Sequence, residues 1–244
     1  MPEPVHYIIS AYSRRATCVK RLSALLVFCL LVGGCGRGVC GKGSSFTLQE
    51  GDLLFRDSDC GPLCDAIKKV TTGYNEAKFT HVGIVAKDGG NFVVIEAVSK
   101  GVKATPLKDF LNKSLDAEHR PKVAAGRVKH PFRCLIPSAI KEASALKGKP
   151  YDKAFIIGND AYYCSELVYE VFLRANGNKP LFTLEPMTFK DPDTGVIFLP
   201  WQEYFSKLNV PVPEGRPGIN PGGISRSPVL DIVYVYGAIS GLEK

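Results

Sequence analysis

Residues 81–97 read His81-Val82-Gly83-Ile84-Val85-Ala86-Lys87-Asp88-Gly89-Gly90-Asn91-Phe92-Val93-Val94-Ile95-Glu96-Ala97. Two β-branched, apolar runs flank a short polar, glycine-rich break, which is the pattern of a β-hairpin. Asp88-Gly89 is a favoured two-residue turn. With that pair at the tip, His81 and Glu96 face each other directly. With Gly89-Gly90 at the tip they become diagonal neighbours. Both registers keep them on one face of the sheet, and only an odd-length loop would separate them. A carboxylate among Val93, Val94, Ile95, Ala97 and Val98 is costly without a partner, and the imidazole supplies one.

Outward from the hairpin, the chain reads as one α+β domain. Gly51 to Phe55 begins a short strand, and Asp65 to Val70 forms a helical turn. Strands are expected at Val102–Thr105 and across 122–128. Thr105-Pro106 opens a helix, with Thr105 as its cap and Pro106 in the first turn. Pro137 begins another, carrying Ile140, Ala143 and Leu146 on one face. The clearest helix runs from Cys164 to Ala175, where Leu167, Val168, Val171 and Phe172 recur at helical spacing and Asn176-Gly177 ends it. Residues 178–228 hold nine of the 17 prolines and read as a long surface excursion, a kind of segment that often serves function. Ile232 to Tyr236 closes the chain as a strand. No internal repeat and no second core is evident.

A nucleophilic cysteine needs a thiolate, and a helix N-terminus and a histidine partner both favour one. Cys164 heads the strongest helix, where unpaired backbone N–H groups favour negative charge and can hold an oxyanion. Four histidines exist. His6 falls in the leader, His119 in a polar loop and His130 in a turn before Pro131. Only His81 lies on an apolar strand. Cys164, His81 and Glu96 therefore suit nucleophile, base and orienting carboxylate. Their competing uses are a buried structural thiol, a core histidine and an edge carboxylate.

These residues sit in a wider series. Gly51-Asp52-Leu53-Leu54-Phe55, Phe79-Thr80-His81-Val82-Gly83-Ile84-Val85, Val94-Ile95-Glu96-Ala97, Gly148-Lys149-Pro150-Tyr151-Asp152 and Tyr163-Cys164-Ser165-Glu166-Leu167 follow in that order. The series resembles the permuted papain-like amidases of the YaeF/YiiX type, within the NlpC-like cysteine hydrolases. The resemblance runs from about residue 50 to 175 and extends to the last strand. It implies a circularly permuted papain-like fold, with histidine before cysteine along the chain and the nucleophile helix packed on an antiparallel sheet. It implies Cys164 as nucleophile, His81 as base, Glu96 as orienting residue, and no required cofactor. Tyr163 would donate a hydrogen bond near the thiolate or the oxyanion, against a packing role. Asp152 would line the substrate cleft, against a capping role. Glu166 suits the first helical turn as an acid.

The start of the chain has another character. Arg14, Arg15, Lys20 and Arg21 precede an apolar run from Ala24 to Val32, then Gly33-Gly34-Cys35. This is a secretory signal pattern, too short to cross a bilayer. Val32-Gly33-Gly34-Cys35 resembles a lipobox, so lipidation of Cys35 is expected. Residues 1–34 are read as signal, 35–49 as a flexible tether, and 50–244 as the hydrolase domain. Residues 1–17 carry no helical period, and a start at Val19 would give a more usual leader.

The expected address is the bacterial cell envelope, lipid-anchored and facing the periplasm or exterior. Without the signal, 27 basic and 23 acidic residues remain. No basic run interleaved with aromatics is present, so no nucleic-acid partner is expected. In an oxidising compartment Cys60 and Cys64 would first form a small disulfide loop. Two unpaired thiols come next and a metal site last, since no other Cys or His stands at zinc-like spacing. Cys134 reads as a core residue beside Phe132, Leu135 and Ile136.

The expected partners are an amide-containing substrate and the membrane. Peptidoglycan-type peptides are the first guess from address and family, with acyl amides open. Rival readings are an acyltransferase or lipid amidase using the same three residues, and a non-catalytic binding lipoprotein.

Overall fold

The computed structural model describes residues 46–243. The signal expected over 1–34, the lipidation site at Cys35, Cys40 and the tether as far as residue 45 lie outside the described residues.

Strands β1 (Leu53–Arg56), β2 (His81–Asp88), β3 (Asn91–Val98), β4 (Gly101–Pro106), β5 (Val123–Val128) and β8 (Leu230–Val235) form one sheet in the order β4-β3-β2-β1-β5-β8. Each neighbouring pair is antiparallel. Short strands β6 (Glu185–Pro186) and β7 (Pro217–Gly218) pair separately. The helices are α1 (Pro62–Val70), α2 (Leu107–Leu111), α3 (Ile136–Ala145), α4 (Cys164–Ala175), α5 (Leu199–Leu208) and α6 (Pro221–Ser225).

Strand alternation divides the core. Leu53, Phe55, Val82, Ile84, Ile95 and Ala97 point to one face, where α3 and α4 pack. Leu54, Val85 and Val94 point to the other, which is covered by Phe46, Leu48, Phe110 and Leu111, so residues 46–49 belong to the folded domain and not to the flexible tether expected over 35–49. By the same alternation Arg56, His81 and Glu96 belong to the α2 face, although Cys164 heads a helix on the opposite one. The two groups meet where β2 begins.

Several expectations are corrected. Thr105 does not cap a helix: β4 runs through Pro106, which a sheet-edge strand tolerates, and Pro106 stands at the N-cap of α2. Cys134 is exposed in a 3₁₀ turn and donates to the Pro131 carbonyl, so it is no core residue. Helix α1 is longer than the turn expected from Asp65, because Pro62 sits in its first turn. The proline-rich excursion is a wall with its own apolar cluster rather than irregular surface: Phe189, Trp201 and Phe205 bury against Ala66 of α1. Cys60 and Cys64 form a disulfide across the start of that helix.

Gly83 shows how tightly β2 and β3 are fitted. A Cβ there would fall 2.6 Å from Val94 Cγ1 and 3.0 Å from the Ile95 carbonyl oxygen. Gly83→Ala is expected to lower stability by about 1–3 kcal/mol, the usual range for overpacking. Urea unfolding checks this, and an unchanged midpoint would contradict it.

Candidate active site

The hairpin ladder closes at Asp88↔Asn91, so Gly89-Gly90 is the turn in place of Asp88-Gly89. Both glycines have positive φ, 54° and 86°, which a two-residue hairpin turn of this kind requires and glycine adopts freely. The two-residue change of register keeps the face. His81 and Glu96 are therefore diagonal neighbours, with Nε2 and Oε2 2.6 Å apart.

Glu96 is fully buried and collects partners from four directions. Its Oε1 accepts from the Thr105 hydroxyl at 2.6 Å and from Lys113 Nζ at 2.7 Å. Its Oε2 faces His81 and also lies 3.9 Å from Arg56 Nη1. Burial pushes the carboxyl up. The bond and charge of His81, then the bonds from Lys113 and Thr105, outweigh it and hold Glu96 well below the usual carboxylate range. Arg56 is itself buried. Its guanidinium lies over the Phe110 ring, 4.6 Å from the centroid, and its Nε donates to the Ser58 hydroxyl at 2.9 Å.

Cys164 is the first residue of α4 and is 7% exposed. The first turn of a helix leaves its N–H groups outside the helical ladder, so negative charge is favoured there. Burial pushes the thiol up. A hydrogen bond with His81, the charge of that imidazole and the Val82 backbone N–H more than offset it, and the thiol settles below its ordinary value. His81 moves the opposite way. Burial and Arg56 push it down, but its bonds to Cys164 and Glu96 leave it raised. With Nε2 on Glu96, Nδ1 is the ring nitrogen left for the thiol. The two shifts run in the directions that favour a thiolate beside an imidazolium, with a carboxylate behind the ring.

Tyr163 and Asp152 part company. Tyr163 is buried on the cavity wall, and its phenol oxygen accepts the Ile219 N–H at 3.2 Å. Asp152 is absent from the wall, although Tyr151 and Lys153 line it. Its two carboxylate oxygens accept the N–H groups of Ala154 and Ile156 at 2.8 and 2.6 Å. Asp152 thus organises a loop instead of facing a substrate. Glu166 takes the Tyr163 N–H at 3.3 Å, the role suited to a first-turn acid. Burial first, and then neighbours Asp152 and Glu170, push it up to about 8 against the N–H bonds it accepts.

A cavity of about 1120 Å³ opens beside these groups, with Cys164, His81, Arg56 and Tyr151 in its wall. Reading the sequence missed Arg56, Thr105, Lys113 and Tyr151. Burial and the charge of Cys164 hold the Tyr151 phenol well above its usual range, so it keeps its proton. Tyr151 is the sequence neighbour of Asp152 and lines the wall that Asp152 does not reach. The other three reach Glu96 from separate elements, and no local pattern announces them.

The chain matches the family described as permuted papain-like amidase enzyme, YaeF/YiiX, C92 family, over residues 47–234. It is 30% identical over 129 residues to the uncharacterized protein YiiX of Escherichia coli K12, which is 53% of this chain and 59% of that relative. The match therefore spans less than two thirds of that protein's length. It is also similar to a crystal structure described as metalloprotein yiiX from Escherichia coli O157:H7, with a TM-score of 0.63 and 24% identity over 77% of this chain and 97% of that one. That second likeness is one of fold. The α+β, papain-like arrangement, with an antiparallel sheet under the Cys164 helix, stands on it and on the family match.

The pair geometry sets a pH dependence. Because the thiol is lowered and the imidazole raised, iodoacetamide should label Cys164 at pH values below those at which an ordinary thiol reacts. His81→Ala should return the onset of labelling to higher pH, and Glu96→Gln should move it part of the way. Mass spectrometry of the modified peptide reads this. A rate profile unchanged by both substitutions would contradict the pairing.

Proposed function

We propose an amide hydrolysis from one premise: the chain belongs to the permuted papain-like amidases of the YaeF/YiiX type, the C92 family. The observation that carries the reading is the 2.6 Å contact from His81 Nε2 to buried Glu96, with His81 and Cys164 on the same cavity wall. In this reading Cys164 is the nucleophile, His81 the acid–base group and Glu96 the residue that orients it and balances its charge.

The Cys164 thiolate attacks the substrate carbonyl carbon, and the carbonyl electron pair moves to oxygen. The Cys164 N–H at the head of α4 stabilises that oxyanion. The Tyr151 phenol, on the same wall and protonated, is a second donor. The C–N bond breaks as His81 passes its proton to the departing amine, leaving a thioester. Water then gives a proton to His81 and attacks the thioester, and the acid leaves as the thiolate is regenerated. Glu96 stays ionised throughout. Tyr163 shapes the wall beside the nucleophile.

The solved relative is described as a metalloprotein. Among the described residues of this chain, no group of three or more His, Cys, Asp or Glu is placed to hold a metal ion. The donor set does not fit one, and no step is routed through a metal.

The same reading places the enzyme in the bacterial cell envelope, exported by residues 1–34 and anchored by lipid on Cys35. The Cys60–Cys64 disulfide supports an oxidising address. Mass spectrometry of the mature N-terminus should find lipidated Cys35 as the first residue, and an unmodified start elsewhere would overturn the anchor.

Cys164→Ala should abolish amide turnover. His81→Ala should lower kcat by about 10²–10⁴-fold, the usual contribution of a general acid–base group. Wild-type enzyme quenched during turnover should carry an acyl group on Cys164, read by peptide mass. Turnover surviving in Cys164→Ala would overturn the mechanism.

A further inference from the structure

Arg56 offers more hydrogen bonds than its neighbours use. It is only 7% exposed and stands on the cavity wall with His81, Cys164 and Lys113. A guanidinium carries five N–H donors. Among the described residues only the Nε donor meets an acceptor, the Ser58 hydroxyl at 2.9 Å. Nη1 is buried without a hydrogen-bond partner, and Glu96 Oε2, 3.9 Å away, lies outside hydrogen-bond range. Glu96 already accepts from Thr105 and Lys113 and faces His81, so Arg56 serves it as a charge and not as a donor. Open donors on a buried cation are costly, and few native groups are left so. The head is nonetheless held firmly, by Ser58 at one edge and by the Phe110 ring 4.6 Å from its carbon. A planar fork fixed in this way, with its Nη end unused, matches the two oxygens of a carboxylate.

Its position says which half of a substrate it meets. The register of β1 on β2 sets Arg56 directly across from His81, and residues so paired share a face. The charges of Glu96 and Cys164 both act on the guanidinium, so it belongs to the reacting group of charges. His81 gives its proton to the departing nitrogen, which must therefore come within reach of the imidazole. A side chain directly across from that imidazole faces the amine half. In an α-amino acid a single carbon separates the nitrogen from the carboxylate.

We propose that Arg56 is a specificity-determining residue that holds a carboxylate on the leaving half of the substrate, so that the amide cleaved is one whose amine half is an α-amino acid with a free carboxylate. As the C–N bond breaks, the nitrogen takes the proton of His81, and the amino acid departs with its carboxylate released from Arg56. The acyl half stays on Cys164 as a thioester until water removes it. The cleavage rests on the amidase reading above, but the carboxylate subsite does not.

A matched pair of alkylating reagents tests the subsite without any turnover. N-bromoacetylglycine and its neutral twin N-bromoacetylglycinamide differ only in the carboxylate, and each gives up bromide to the attacking sulfur. Exposed Cys134 is the reference thiol in the same full-length protein, and peptide masses read both sites. The acid-to-amide rate ratio should be about 10–100-fold higher at Cys164 than at Cys134, the worth of a charge-assisted pair. Taking the ratio cancels any general change in thiol reactivity. Arg56→Gln should bring the Cys164 ratio down to that of Cys134, and Arg56→Lys, which keeps the charge without the fork, should retain part of it. Equal ratios at the two cysteines of the wild type would overturn the subsite. So would a preference that survives Arg56→Gln. The second arm is turnover. N-acetyl dipeptides with a free C-terminus should exceed their C-terminal amides by about tenfold or more in kcat/KM and release one amino acid. Equal cleavage of the two would overturn the assignment to the amine half. An acid-selective Cys164 without turnover would uphold the subsite and sink the amidase reading, and turnover without acid selectivity would do the reverse.

Discussion

One buried carboxylate organises this molecule. Glu96 has no access to water, and an isolated charge in such a place is too costly to survive. The fold answers with an imidazole from β2, a hydroxyl from β4, an ammonium from the segment after α2 and a guanidinium from β1. Each donor comes from a different stretch of chain. The register of β2 on β3, the run of β4 through Thr105 and the packing of Phe110 beneath Arg56 are all constrained by that one side chain.

The charge balance around Glu96 governs the chemistry in front of it. A carboxylate surrounded by cations stays ionised and therefore favours a protonated imidazole. A protonated imidazole in turn favours a thiolate at the head of α4. Arg56 acts in both directions. It lowers the cost of Glu96, and it competes with the positive charge of His81. The site thus holds its charges in a row in a space that excludes much of the solvent, where such interactions are strong.

Much of this was legible in residue order alone, and the reasons are physical. A period of two in 81–97 is insensitive to which two-residue turn closes the hairpin, so the pairing of His81 with Glu96 survived the change from Asp88-Gly89 to Gly89-Gly90. A period of 3.6 between Leu167 and Phe172 marked α4 with its correct ends. Helix α5 was equally marked, with Pro200 in its first turn and Trp201, Tyr204, Phe205 and Leu208 at one-face spacing. The density of prolines around it hid the pattern. Arg56, Thr105 and Lys113 are of another kind, since their convergence is tertiary and leaves no period. Asp152 failed as a cleft residue because aspartate serves loop backbones as readily as ligands.

The acid–base pair and the nucleophile differ in how they are brought together. His81 and Glu96 are 15 residues apart in one hairpin, a local contact that closes at small entropic cost. Cys164 comes from a separate helix, whose head is placed by packing against α3 and by the Tyr163–Ile219 bond. A nascent or half-assembled chain carries an ordinary, sluggish thiol, and heightened sulfur reactivity becomes the chemical signature of a finished tertiary structure.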